Sequence, residues 1–118
     1  MKLNGVAPVL WVSDIAQTIT FYRDVLGFGC VNQMEGWACL GKDGVELMLS
    51  LPNQHESFEK LQFTGSLYFQ TDDVDELWAL VKDKAQIVYP IENFHYGMRE
   101  FAIRDNTGYI LQFGTRIG

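Results

Sequence analysis

Two cysteines, two histidines and three prolines are all that 118 residues hold of the types that staple, ligate or break a chain. Cys30 and Cys39 sit among apolar residues without the close spacing of a redox or zinc pair. They read as small core residues in a reducing compartment, and no disulfide or metal framework is expected. Basic residues are also scarce, nine against fifteen acidic, and the net charge of −6 repels phosphate backbones and anionic lipid. Neither nucleic acid nor membrane is an expected partner. A cationic ligand is favoured, although a charge of this size also serves plain solubility. No run approaches the ~20 apolar residues of a bilayer span. Met1-Lys2-Leu3-Asn4-Gly5 lacks the apolar core of a secretory leader, so a cytoplasmic protein is expected. Also missing are a GxSxG elbow, a Gly-rich phosphate loop and a cysteine with a histidine near it in sequence.

What is present is a globular composition, 47% hydrophobic and 20% charged, at a length that suits one domain over residues 1–118. The apolar run Val6 to Val12 reads as a strand. After Ser13-Asp14, apolar residues at Ile15, Ile19, Tyr22 and Leu26 mark one helix face, with Asp14 as its cap and Gly27 as its stop. Strand-like segments follow from Phe28 to Leu49, with Lys42-Asp43-Gly44 as a hairpin turn. Residues 51–65 are polar and aperiodic and read as a connection.

Then the order repeats. Leu67 to Gln70 form a strand, and Asp73, with Glu76 three residues on, caps a helix whose buried face is Val74, Leu77, Trp78 and Val81. Strands are expected around Ile87 to Tyr89, Arg99 to Ile103 and Tyr109 to Phe113, with a turn at residues 105–108. The fold class is therefore α+β, two βαβββ modules over residues 5–50 and 66–118. Neither would bury a core comfortably alone, so curved mixed sheets forming a cleft between the modules are expected. Alternation along the strands sends Val45, Leu47, Leu49, Leu67 and Phe69 to the core, and Glu46, Met48, Ser66, Tyr68 and Gln70 to the cleft.

The segments Phe21-Tyr22-Arg23-Asp24-Val25-Leu26-Gly27-Phe28 and Tyr96-Gly97-Met98-Arg99-Glu100-Phe101-Ala102-Ile103-Arg104-Asp105 resemble those of the vicinal oxygen chelate superfamily. That group takes in glyoxalases, bleomycin-resistance proteins and dioxygenases, and the second segment is most similar to the bleomycin-resistance branch. The resemblance implies that its metalloenzymes carry a histidine on the first strand and a glutamate on the last strand of each half. The matching positions here are Ala7, Met48, Ser66 and Gln112, a poor donor set. No metal or other cofactor is expected. His55 and His95, the two histidines, fall in irregular segments away from those positions and read as surface residues.

The resistance proteins hold a glycopeptide drug in grooves between two subunits, with aromatic rings stacked on its flat heterocycles. The resemblance therefore implies a homodimer, with an N-terminal strand exchanged near Pro8, that sequesters a flat cationic small-molecule ligand without turnover. An edge-strand proline is an equal reading of Pro8. Trp37 and Tyr96 are the stacking candidates, and Phe94, His95 and Tyr96 form an aromatic cluster in an expected loop. Glu46 reads either as a hydrogen-bonded structural residue or as a carboxylate facing a cation. Met48, Tyr68, Arg99 and Gln112 complete the candidate site. Two other readings stand beside this one: a metal-dependent lyase or dioxygenase with atypical ligands, and a binding module for an unrelated metabolite.

Overall fold

The computed structural model describes residues 4–52, 63 and 65–118, and resolves the patterning into ten elements. These are β1 (Val9–Trp11), α1 (Ile15–Leu26), β2 (Gly29–Met34), β3 (Trp37–Lys42), β4 (Val45–Ser50), β5 (Leu67–Gln70), α2 (Val74–Val81), β6 (Gln86–Phe94), β7 (Met98–Arg104) and β8 (Ile110–Arg116). The chain divides into two compact units, Met1–Leu61 and Gln62–Gly118, each running βαβββ. One sheet has the order β1-β4-β3-β2 and the other β5-β8-β7-β6. Each is mixed, because the first strand of the unit pairs in parallel with the last while the other pairs are antiparallel.

In the first unit Asp14 caps α1 by accepting a hydrogen bond from the Gln17 N–H at 2.9 Å, and the Gly27 N–H closes the far end on the Arg23 carbonyl. The buried stripe differs from the apolar spacing: Thr18, Tyr22 and Leu26 are buried, while Ile15 and Ile19 are half-exposed. Thr18 tolerates burial because its hydroxyl donates to the Asp14 carbonyl at 2.8 Å. Lys42 donates to the Leu26 carbonyl at 3.1 Å, placing a cation at the helix C-terminus, where the backbone dipole favours it. The β3–β4 turn has positive φ at both central residues, 52° for Asp43 and 81° for Gly44, the conformation whose twist matches a two-residue hairpin.

Register then sorts the first sheet. Leu10, Leu49, Ala38, Leu47 and Leu40 share the buried face, on the side of Tyr22, whose ring meets Phe28 edge-on at 5.7 Å. Val45, expected among them, is 39% exposed because it is the first residue after the turn. Cys39 is buried as expected, but Cys30 is exposed, because every residue of edge strand β2 is exposed.

In the second unit the Asp73 carboxylate accepts from the Glu76 N–H at 3.1 Å, whereas the Asp73 N–H donates to Thr71 Oγ1 at 3.4 Å rather than to Glu76. Only half of the expected reciprocal cap therefore forms. Phe69, Phe101 and Phe113 stack in one row, with centroids 5.0 and 5.3 Å apart, and Trp78 of α2 lies 5.1 Å from Phe101. Leu111, Ile103, Val74 and Val81 fill the same layer. At the β7–β8 turn Asp105 accepts three backbone N–H groups, from Thr107, Gly108 and Tyr109, each at 2.9 Å.

β6 is much longer than expected, nine residues against the three of Ile87 to Tyr89. It carries Pro90 and two register shifts against β7, features that an edge strand accommodates because its outer N–H groups need no partner. Phe94 therefore ends a strand instead of lying in a loop, and only His95, Tyr96 and Gly97 make the turn, closed by the Gly97 N–H on the Phe94 carbonyl at 3.1 Å.

Candidate functional site

Because side chains alternate across a sheet, the face of the second sheet away from α2 collects one residue in two from each strand. These are Ser66, Tyr68 and Gln70 from β5 and the residue before it, Gln112, Gly114 and Arg116 from β8, Met98, Glu100 and Ala102 from β7, and Tyr89, Glu92 and Phe94 from β6. At the centre of this face Glu100 is fully buried. A buried carboxylate is costly unless donors surround it, and three tyrosine hydroxyls do so. Tyr68 donates to Oε1 at 3.1 Å, Tyr96 to Oε1 at 2.7 Å, and Tyr89 to Oε2. Tyr89 in turn accepts from Gln112 Nε2 at 2.9 Å, and Gln112 Oε1 accepts from the Ser66 hydroxyl at 2.5 Å. One polar network thus links four strands and the β6–β7 turn.

The network holds the phenol protons tightly. Burial, then the hydrogen bond to Glu100 and its charge, push Tyr68 up to about 12. For Tyr96 the hydrogen bond to Glu100 comes first and burial second, again to about 12. Tyr89 is raised further still, first by burial and then by Glu100, with the Gln112 hydrogen bond pulling the other way. All three are neutral donors at ordinary pH, and their oxygens, polarised by the carboxylate, keep lone pairs for a partner. Tyr68 is 41% and Tyr96 55% exposed, so ring surface as well as oxygen is accessible. Phe94 stacks on Tyr96 at 5.6 Å and meets Tyr89 edge-on at 5.5 Å.

Gly114 makes this arrangement possible. A Cβ there would fall 2.1 Å from the Tyr68 hydroxyl oxygen and 3.0 Å from its ring, so the bare backbone is what lets Tyr68 reach Glu100. Gly114→Ala is expected to swing Tyr68 off the carboxylate and cost about 1 kcal/mol. In a double-mutant cycle the same change should cost almost nothing once Tyr68→Ala is present; additive losses would show that Gly114 matters for another reason.

Of the residues expected from sequence, Tyr68, Phe94, Tyr96 and Gln112 gather here. Arg99 does not: it lies on the opposite face, where its Nε donates to Asp75 of α2 at 3.0 Å and Nη1 to Asn93 at 2.9 Å. Trp37, Glu46 and Met48 belong to the first unit. They share the face of its sheet away from the buried leucines, with Glu46 exposed and Trp37 and Met48 half-buried. Glu46 accepts a hydrogen bond from Cys39 Sγ at 3.5 Å, and burial, followed by that carboxylate, raises the Cys39 thiol. His95 is exposed beside Tyr96 as expected, whereas His55 lies outside the described residues.

Sequence reasoning missed Glu100, Tyr89 and Gly114 as site residues. Glu100 had an available signal, since it alternates with the apolar Phe101 and Ile103 and so must face away from α2. Gly114 had none.

The chain belongs to the glyoxalase/bleomycin resistance protein/dioxygenase superfamily, whose family model matches residues 2–113. A protein of unknown function from Agrobacterium tumefaciens superposes with a TM-score of 0.82 at 22% identity, covering 99% of this chain and 97% of that one. An integron cassette protein from the mobile metagenome of V. cholerae gives 0.73 at 25%, covering 98% and 97%. A glyoxalase-related enzyme from Fulvimarina pelagi gives 0.79 at 17%, covering 97% and 89%. These likenesses bear on the fold. No curated protein matches the chain.

The metal positions implied by that superfamily can now be compared with the side chains that occupy them. In the second unit the Ser66 hydroxyl and the Gln112 amide are hydrogen-bonded to each other and onward to Tyr89. In the first, Ala7 has no donor and Met48 only a thioether, which suits soft metals. Among the described residues no group of three His, Cys, Asp or Glu is placed to hold a metal ion. These residues do not fit a hard divalent cation at those positions.

Proposed function

We propose that the chain is a metal-free small-molecule-binding protein whose ligand is a flat or cationic organic molecule, seated on the face of the second sheet away from α2, against the tyrosine-ringed Glu100. The observation that carries this reading is a carboxylate fully buried beneath rings that are themselves exposed. Such rings offer electron-rich faces to a cation, and the carboxylate beneath strengthens their pull. Magnitudes show why both parts are needed. Two exposed rings contribute about 0.5–1 kcal/mol each, short of the roughly 4 kcal/mol of a millimolar complex. The net acidity of the chain, −6, favours the same sign of ligand at longer range.

A bleomycin-type glycopeptide, with flat heterocycles and a cationic tail, is the specific candidate that the sequence resemblance suggests. Calorimetric titration tests it. Saturable heat with bleomycin, reduced about two- to fivefold in affinity by Tyr96→Ala, is the expected result. No heat with bleomycin would remove the antibiotic from the reading, and no binding of any organic cation would remove the reading itself.

A further inference from the structure

Beside the tyrosine cluster lies a cavity of about 490 Å3 lined by Gln70, Asp72, Met98, Gly114, Thr115 and Arg116. Two of these residues also belong to the cluster's surroundings. Gly114 lies under the Tyr68 hydroxyl, and the Met98 methyl group comes within 3.1 Å of where a Gly114 Cβ would be. Arg116 pairs in register with Met98 and Gly114 with Glu100, so the Arg116 side chain rises from the same face as Glu100. Two residues of strand, about 7 Å, separate its backbone from that of Gly114. Arg116 is exposed and makes no ion pair among the described residues, with Asp72 or any other. A guanidinium carried at the end of a paired strand, with no hydrogen bond or ion pair among the described residues, is suited to a carboxylate. The neighbouring acids, Asp72 and Glu100, outnumber it, so a simple anion is disfavoured while a molecule carrying both charges matches.

Resting on the reading of the tyrosine cluster given above, we propose that the ligand is a small zwitterion. Its ammonium or quaternary nitrogen lies on the Tyr68 and Tyr96 rings, and its carboxylate, a few bonds away, lies on Arg116 in the adjoining cavity.

Three probes test this by calorimetry or by perturbation of amide resonances: tetramethylammonium, butyrate, and γ-trimethylammoniobutyrate, which joins the two. The zwitterion is expected to bind at least about tenfold more tightly than tetramethylammonium, the gain from one charge-assisted fork. Arg116→Gln should abolish that ratio while leaving tetramethylammonium affinity within about twofold, and as an exposed substitution it should leave the melting temperature nearly unchanged. A ratio near one, or a ratio that survives Arg116→Gln, overturns the zwitterion and leaves the cation reading of the cluster standing. Absence of tetramethylammonium binding, together with zwitterion binding indifferent to Tyr96→Ala, overturns both.

Discussion

Replacing Glu100 with glutamine is expected to lower stability by about 1–2 kcal/mol and to change how the tyrosines ionise. The amide keeps the shape but removes the charge that three hydroxyls share. Tyr96, raised to about 12 chiefly by its hydrogen bond to Glu100, should return most of the way to the ordinary 10.0. Tyr68, raised to about 12 first by burial, should fall only part of the way. Phenolate absorbance through an alkaline titration separates the two proteins, and superimposable curves would sink the account of the network. The sign for stability follows directly. The folded chain keeps these protons to higher pH than the unfolded chain, so the stability they represent is intact below about 10 and is lost as pH rises toward about 12. Urea midpoints of the unaltered protein should fall through that window, and those of Glu100→Gln less steeply.

Phe101→Ala carries the largest expected loss, roughly 3–5 kcal/mol. Phe101 is fully buried, stacked 5.3 Å from Phe113 and 5.1 Å from Trp78, so truncation opens a cavity in the layer that joins α2 to its sheet. Against a total stability of about 5–15 kcal/mol for a protein of ordinary stability, such a loss would leave a substantial unfolded fraction in moderate urea. Phe101→Leu retains most of the volume and should cost about 1–2 kcal/mol. Equal losses for the two variants would mean that the ring is not packed as described. Because Phe101 follows Glu100 on β7, the alanine variant should also blunt the alkaline tyrosine signature, through disorder of the strand rather than loss of charge.

Much of this architecture was legible before any coordinates. Asp14, Asp73 and the Asp43-Gly44 turn are local signals, each acting over a few residues of backbone, and each lies where the chain needs it. The apolar alternation of Leu47 and Leu49 likewise reports a buried face directly. What sequence did not show depends on neighbours distant along the chain. Tyr68 and Glu100 are thirty-two positions apart and meet only because β5 and β7 both flank β8. Arg99 reads as a site residue from sequence and Glu100 does not, because a charged residue next to an aromatic gives no hint of its face until the strand's phase is fixed by Phe101 and Ile103. Tyr89 lies inside an expected strand, but the register shift between Ile87 and Tyr89 in β6 turns it to the face opposite Ile87, which simple alternation does not foresee.

That same strand has a bearing on how the protein behaves in a crowded solution. An open sheet rim invites pairing with any extended chain that drifts past, the first step toward insoluble fibres. β6 offers a poor template: its backbone is stepped twice out of register, and Pro90 leaves a gap in the row of amide hydrogens. A stranger's strand could align with only a few consecutive residues before losing its partners, so along this rim self-propagating sheet growth is checked by the covalent chain itself.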